Sequence, residues 1–253
     1  MSGPLPLSLC VITRDAAALV AECLASAPFA GDIVVVDSGS RDDTVEIARR
    51  RGARVIERDW PGFGAQKQFA VGAAAHDWVL CLDADERVTP ELAASIAREM
   101  SAPRAAAYAV ARRNRFLGRW LAHGEGYPDW NVRLFDRRHA RWSLDPVHER
   151  VVADGPIARL AGDLLHASAE SLDDYLEKQN RYTTLQAQAM LARGERAGLA
   201  QLVLSPLVRF IRFYVVRLGF LDGVAGLVHI AIGCQNSFLK YAKLRALTAE
   251  SRR

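Results

Sequence analysis

The chain has 253 residues, is half hydrophobic and carries a formal net charge of +4. It is long enough for one large domain, or one domain with an appendage, and apolar enough for a real core. Four scattered cysteines (Cys10, Cys23, Cys81, Cys234) form no CxxC pair, which argues against disulfides and zinc and for reduced packing residues. No uncharged apolar run reaches 18 residues, and the N-terminus lacks a basic leader, so neither an ordinary transmembrane helix nor a signal peptide is expected.

Apolar strands and helices alternate from the start. Leu7–Thr13 reads as a first strand and Asp15–Ser26 as a helix. Ile33–Asp37 is a second strand, followed by the turn Ser38-Gly39-Ser40. The next helix, Asp42–Arg51, has Asp42 and Asp43 in its first turn, where carboxylates suit the helix dipole. Ala53–Glu57 is a third strand, Gly62–Gly64 a loop and Ala65–Ala75 a short helix. The run Trp78–Leu82 reads as a buried central strand, with a helix over Pro90–Met100 behind it. The alternation predicts an α/β fold with a mostly parallel, doubly wound sheet. Beyond Pro103 the strands Ala107–Arg113, Val132–Phe135, Val147–Val152 and Gly162–His166 surround a Gly-rich loop at His123–Asp129. From Leu172 the pattern is helical.

Chemistry concentrates at Asp83-Ala84-Asp85-Glu86, where the central strand stops. Ligands of open α/β sheets gather at the carboxyl ends of strands. Clustered carboxylates call for a positive partner, and a hard divalent ion bridging to phosphates is the common one. The plainer reading is a solvated acidic turn.

The ordered set Thr13-Arg14-Asp15, Asp37-Ser38-Gly39-Ser40, Gln66-Lys67-Gln68, Asp83-Ala84-Asp85-Glu86, Arg133-Leu134-Phe135, Val147-His148-Glu149 and Leu165-His166-Ala167-Ser168 resembles the family 2 inverting glycosyltransferases of GT-A fold. The set looks like the bacterial subgroup related to lipopolysaccharide-core β-glucosyltransferases. The resemblance implies a nucleotide-sugar site at Thr13, Arg14, Asp15, Asp37, Ser40, Lys67, Asp83 and Ala84. It implies Mg²⁺ or Mn²⁺ held by Asp85 and His166, with Asp83 contributing. The base that deprotonates the acceptor hydroxyl would be Glu149. The commoner Glu-Asp form of that base is absent here, so Asp129 stays a candidate, with Glu125 behind it. Tyr127, Trp130 and Trp142 offer apolar faces for a sugar or for the core. UDP-glucose is the donor the resemblance implies, and a lipid-linked glycan the acceptor.

The charge is uneven. Residues 196–253 carry nine Lys or Arg against two acidic residues, a net of +7, leaving −3 for the rest. The apolar stretches Leu202–Tyr214 and Phe220–Cys234 are interrupted by Arg209, Arg212 and Arg217. This mix suits helices lying on an anionic membrane. We therefore expect a catalytic domain over 1–195 and an interfacial helical extension over 196–253, at the cytoplasmic face of the inner membrane. No nucleic-acid motif is present. A dinucleotide dehydrogenase and a P-loop enzyme lack their glycine fingerprints here, and a nucleotidyltransferase would carry a Gly/Arg-rich loop after the first strand. Within the same fold, a polyprenyl-phosphate sugar transferase and an inactive membrane scaffold remain as alternatives.

Overall fold

The structure is a computed structural model that describes residues 3–143, 149–167 and 171–251. The chain divides into two compact units. The first comprises Met1–Arg112 with Trp130–Ala167, and the second Arg113–Asp129 with Ser168–Arg253.

The first unit is built on a sheet in the order β3-β2-β1-β4-β8-β6-β11-β5. Four strands run parallel: β1 (Leu5–Thr13), β2 (Ala30–Asp37), β3 (Arg54–Glu57) and β4 (Trp78–Asp83). Between them lie α1 (Ala17–Ala25), α2 (Thr44–Arg50) and α3 (Phe63–Gly72). The short β5 (Glu86–Val88) and α4 (Pro90–Ser101) follow β4. Next come β6 (Ala107–Phe116), β7 (Arg119–Trp120), β8 (Asp129–Asp136), β9 (Ala140–Trp142), β10 (Val151–Ala153) and β11 (Ile157–His166). Of these, β8 joins β4 antiparallel, and β11 joins β5 antiparallel.

The continuous apolar run of β4 is explained by burial on both faces. Leu80 and Leu82 enter one core with Leu7, Leu9, Val11, Leu92 and Ile96. Val79 and Cys81 enter the other with Cys10, Val34, Val36 and Phe135. Cys10, Cys23 and Cys81 are buried free thiols, and Cys234 is free and half-buried. Trp142 is also core: it is 4% exposed and its Nε1 donates to Cys81 Sγ at 3.5 Å. It is therefore a packing residue and not a sugar platform. Trp130 is 38% exposed, with the Arg159 guanidinium 4.4 Å above its ring.

The second unit is helical: α5 (Leu172–Ala192), α6 (Leu199–Phe210), a π-helical turn Ile211–Val216, a 3₁₀ turn Gly219–Asp222 and α7 (Gly223–Glu250). Ser171 caps α5 in a reciprocal capping box with Asp174. Ala187 and Met190 of α5 are buried with Leu244 of α7. The hairpin of β7 with the distal end of β6 also belongs to this unit. The sequence pattern leads one to expect no membrane-crossing segment. In the structure, Leu199–Val216 forms one helical stretch long and apolar enough for a span by length and composition alone. It tolerates Arg209 and Arg212, which break the uncharged run without breaking the helix.

Candidate active site

The site is assembled from strand ends. Parallel pairing of β1 with β2 sets Thr13 opposite Asp37. Asp37 is 1% exposed. One of its oxygens accepts from the Gly39 and Ser40 amides at 3.0 and 2.8 Å. The other accepts from the Thr13 and Ser40 hydroxyls at 2.8 and 2.5 Å. Four donors match the acceptor capacity of a carboxylate, so Asp37 organises this turn. Its neighbour loop is locked to it. Asp15, in the left-handed region at φ 48°, donates its amide to Ser40 Oγ at 2.8 Å and accepts from the Arg41 amide at 2.8 Å. The Arg14 side chain is 61% exposed.

Helix α3 places Gln66, Lys67 and Gln68, and each reaches a different segment. Gln66, fully buried, donates to Ser38 Oγ at 3.1 Å, while its Oε1 has no hydrogen-bond partner among the described residues. Gln68 Oε1 accepts from the Trp142 amide at 2.8 Å. Lys67, 6% exposed, lies between two carboxylates: Nζ is 3.0 Å from Asp83 Oδ1 and 3.1 Å from Glu149 Oε1. The ammonium also sits 4.8 Å from the Trp142 ring centroid. Gly64, one turn earlier, lets α3 come close to the chain there. A Cβ at Gly64 would lie 2.1 Å from the Ser143 carbonyl oxygen.

The acidic run at the end of β4 separates into different roles. Glu86 is fully buried and turned inward. It accepts from the Asp83 amide at 3.0 Å and from Arg133 Nη2 at 2.6 Å, with Arg112 Nη1 3.6 Å away. Arg133 also donates to Asp83 Oδ2 at 2.8 Å. Burial pushes the Asp83 carboxyl up, but Arg133 and Lys67 outweigh it and hold it well below the usual carboxylate range. Ala84 packs on the core. Asp85 stands apart from these cations. Pairing of β5 with β11 sets His166 opposite Glu86, and His166 Nε2 comes 3.1 Å from Asp85 Oδ2. Burial raises the Asp85 carboxyl, and the hydrogen bond and charge of His166 outweigh it and lower it.

Two cis ligands of an octahedral ion, each about 2.1 Å from it, lie about 3.0 Å apart. The Asp85–His166 spacing therefore fits one edge of such a shell. Among the described residues no group of three or more His, Cys, Asp or Glu side chains is placed to hold a metal ion. Mg²⁺ and Mn²⁺ suit this donor set, because they commonly complete their shells with phosphate oxygens and water.

The Glycosyl transferase family 2 model matches residues 8–153. The chain belongs to that family. The lipopolysaccharide core biosynthesis glycosyltransferase LpsC of Rhizobium meliloti is 30% identical over 252 residues, spanning 96% of this chain and 93% of that protein. An uncharacterized glycosyltransferase of Rickettsia typhi is also 30% identical, across 97% of this chain and 89% of its own. The fold is similar to that of glucosyl-3-phosphoglycerate synthase from Mycobacterium tuberculosis in complex with Mn²⁺, UDP and glucosyl-3-phosphoglycerate (TM-score 0.52, 16% identity, 77% of this chain and 82% of that one). It is also similar to S. aureus TarS 1-349 in complex with UDP-GlcNAc (TM-score 0.50, 14% identity, 97% and 92%).

Thr13, Asp37, Ser40, Lys67, Asp83, Asp85, Glu149 and His166 of this family 2 enzyme all lie in the first unit, whereas Asp129 belongs to the second. Glu125 is engaged elsewhere: Arg209 grips its carboxylate with two nitrogens, one at 3.0 Å. Val147, His148 and Ser168 of the motifs lie outside the described residues. The sequence alone did not assign a role to Arg133 or separate Glu86 from Asp83 and Asp85. The signal was in the chain, as an arginine beside the apolar run Leu134-Phe135 in β8 and 4% exposed in the fold.

Proposed function

We propose that the chain is an inverting transferase that moves glucose from UDP-glucose to a hydroxyl of a lipid-linked glycan of lipopolysaccharide-core type. The observation that carries this reading is the meeting, at the carboxyl end of β4, of the Asp85–His166 pair with a buried lysine that joins Asp83 to Glu149. The lipopolysaccharide-core assignment of LpsC supports the acceptor class. The Mn²⁺ and UDP bound by the mycobacterial synthase support the donor and the metal. The apolar, basic helices of the second unit support work at the cytoplasmic face of the inner membrane.

In this reading Asp85 and His166 hold a Mg²⁺ or Mn²⁺ ion, which when bound neutralises the diphosphate as it leaves. Asp37 keeps the Ser38–Ser40 turn and the Thr13–Asp15 loop in one shape, ready for the base and ribose. Asp83, fixed by Arg133 and Lys67, faces the ribose side of the donor. Glu149 takes the proton from the acceptor hydroxyl. Its carboxylate is held by Lys67, so it is oriented before the acceptor arrives. Ionic contact with the Lys67 ammonium keeps that pair in register with the donor-binding strand.

The test is a donor panel of UDP-glucose, UDP-galactose, UDP-N-acetylglucosamine, GDP-mannose and ADP-heptose, with Mg²⁺, Mn²⁺ or EDTA, reading binding and slow hydrolysis. One donor should stand out, and its turnover should vanish with EDTA and in Asp85→Asn. Absence of binding to every donor, with and without metal, would overturn the reading. Glu149→Gln should lower transfer to a hydroxyl acceptor about 10²-fold or more. A near-silent Glu149→Gln would favour a phosphate acceptor, which needs no strong base.

A further inference from the structure

We propose that α6 and the π-helical turn that extends it lie in the plane of an anionic bilayer, and that the loop at 122–129 is thereby held at the level of that surface. The docking rests on the geometry of the second unit alone. That the loop serves a lipid-borne acceptor rests on the function proposed above.

The outward side of this helix is an apolar stripe. Val203, Leu204, Leu207, Val208, Ile211 and Val215 are each between 47% and 61% exposed. They recur at one helical face, while Leu202, Ser205, Pro206, Arg209, Phe210 and Phe213 between them are half-buried. The apolar surface continues to Leu221, 48% exposed, and Val224, 75% exposed. Contiguous exposed apolar surface of this kind marks an interaction site. Its charge identifies the occupant. No acidic residue occurs from Leu199 to Leu221. Arg212 is exposed on the helix itself, and Arg119 is exposed at the far end, donating to the Leu221 carbonyl at 3.1 Å. Apolar side chains flanked by exposed arginines match acyl chains beneath anionic headgroups.

The inward side rules for an in-plane helix over a spanning one. Arg209 points away from the stripe. It grips Glu125 and donates to Ser237 Oγ on α7 at 3.1 Å. A bare Gly233 makes room for this pair, because a Cβ there would lie 2.4 Å from Glu125 Oε2. Asp222, 2% exposed, accepts from the Ala122 and His123 amides at 3.0 and 2.8 Å. The Gly124 amide donates to the Arg217 carbonyl at 2.9 Å. A helix crossing the bilayer would carry Glu125, His123 and Asp222 toward hydrocarbon, at a high cost for charged groups. A helix lying flat leaves them on the side turned away from the acyl chains. The same three ties fasten the loop to whatever surface the stripe rests on.

Flotation of the full chain with vesicles of equal parts phosphatidylglycerol and phosphatidylethanolamine should recover it in the lipid fraction, and phosphatidylcholine vesicles should retain much less. Val208→Glu, at an exposed position that cannot disturb the core, should weaken binding about tenfold or more, since burying one valine corresponds to roughly a factor of ten. Arg212→Glu should weaken it and reduce its salt dependence. Alkaline carbonate should strip the bound protein, and hydrogen exchange over 122–129 should slow on vesicle addition in the wild type but not in Val208→Glu. Carbonate-resistant retention, unchanged exchange in the loop, or a stable dimer that shields the stripe would each overturn the proposal. Donor binding on the same samples separates the two readings: donor binding without vesicle binding defeats the docking alone, and vesicle binding without binding of any donor, with or without metal, defeats the transferase alone.

Discussion

Among the described residues, Lys67 Nζ is the one positive charge that touches both Asp83 and the proposed base Glu149. Replacing it by methionine keeps the stem against Trp142 and removes the charge. We expect Lys67→Met to cost about 1–3 kcal/mol of stability in urea titration, because two partly exposed carboxylates lose their shared partner. Transfer should fall at least as far as in Glu149→Gln, and Lys67→Arg should restore part of both. The sequence pointed to Lys67 through its place in Gln66-Lys67-Gln68, but not to its contacts, since Glu149 lies 82 residues away. Asp37 was equally visible as a polar residue ending an apolar strand. That it is saturated by four protein donors depends on the Thr13 hydroxyl at the end of β1 meeting the Gly39–Ser40 turn after β2, which no local pattern encodes.

Among the elements, the long apolar strands were legible because burial on both faces leaves an unbroken run, as in Trp78–Asp83. The two- and three-residue strands β5, β7 and β9 were not, because so few residues display no period. Helix α3 begins at Phe63, within what reads as a glycine loop. The glycine at 64 is required within the helix because the backbone of Ser143 passes against it. Gly64→Ala would drive a methyl group into the Ser143 carbonyl, and α3 would have to shift with Lys67 one turn on. We expect a loss of transfer rate of tenfold or more with little change in secondary structure, read by turnover and circular dichroism together. Leu80→Ala, in the doubly covered strand, should instead cost about 2–5 kcal/mol in equilibrium unfolding.

At the scale of the molecule, composition sets a boundary near residue 195, where positive charge begins to accumulate. The compact units group α5 with α6 and α7, because Ala187 and Met190 are covered by Leu244. A chain ended after Glu195 should therefore expose that seam and aggregate, which light scattering beside the full chain would reveal. Charge counts report partners in solution, and the seam depends on which apolar faces meet. With the outward stripe of α6 docked on a bilayer as proposed, concentration takes a different meaning for this enzyme. A catalyst resting on the sheet that carries one substrate meets that substrate per unit area and the other per unit volume. Mixing inert lipid into the sheet then slows transfer, although nothing in the tube has been diluted. Expansion of the surface then acts as a rate control at constant bulk amounts of both reactants.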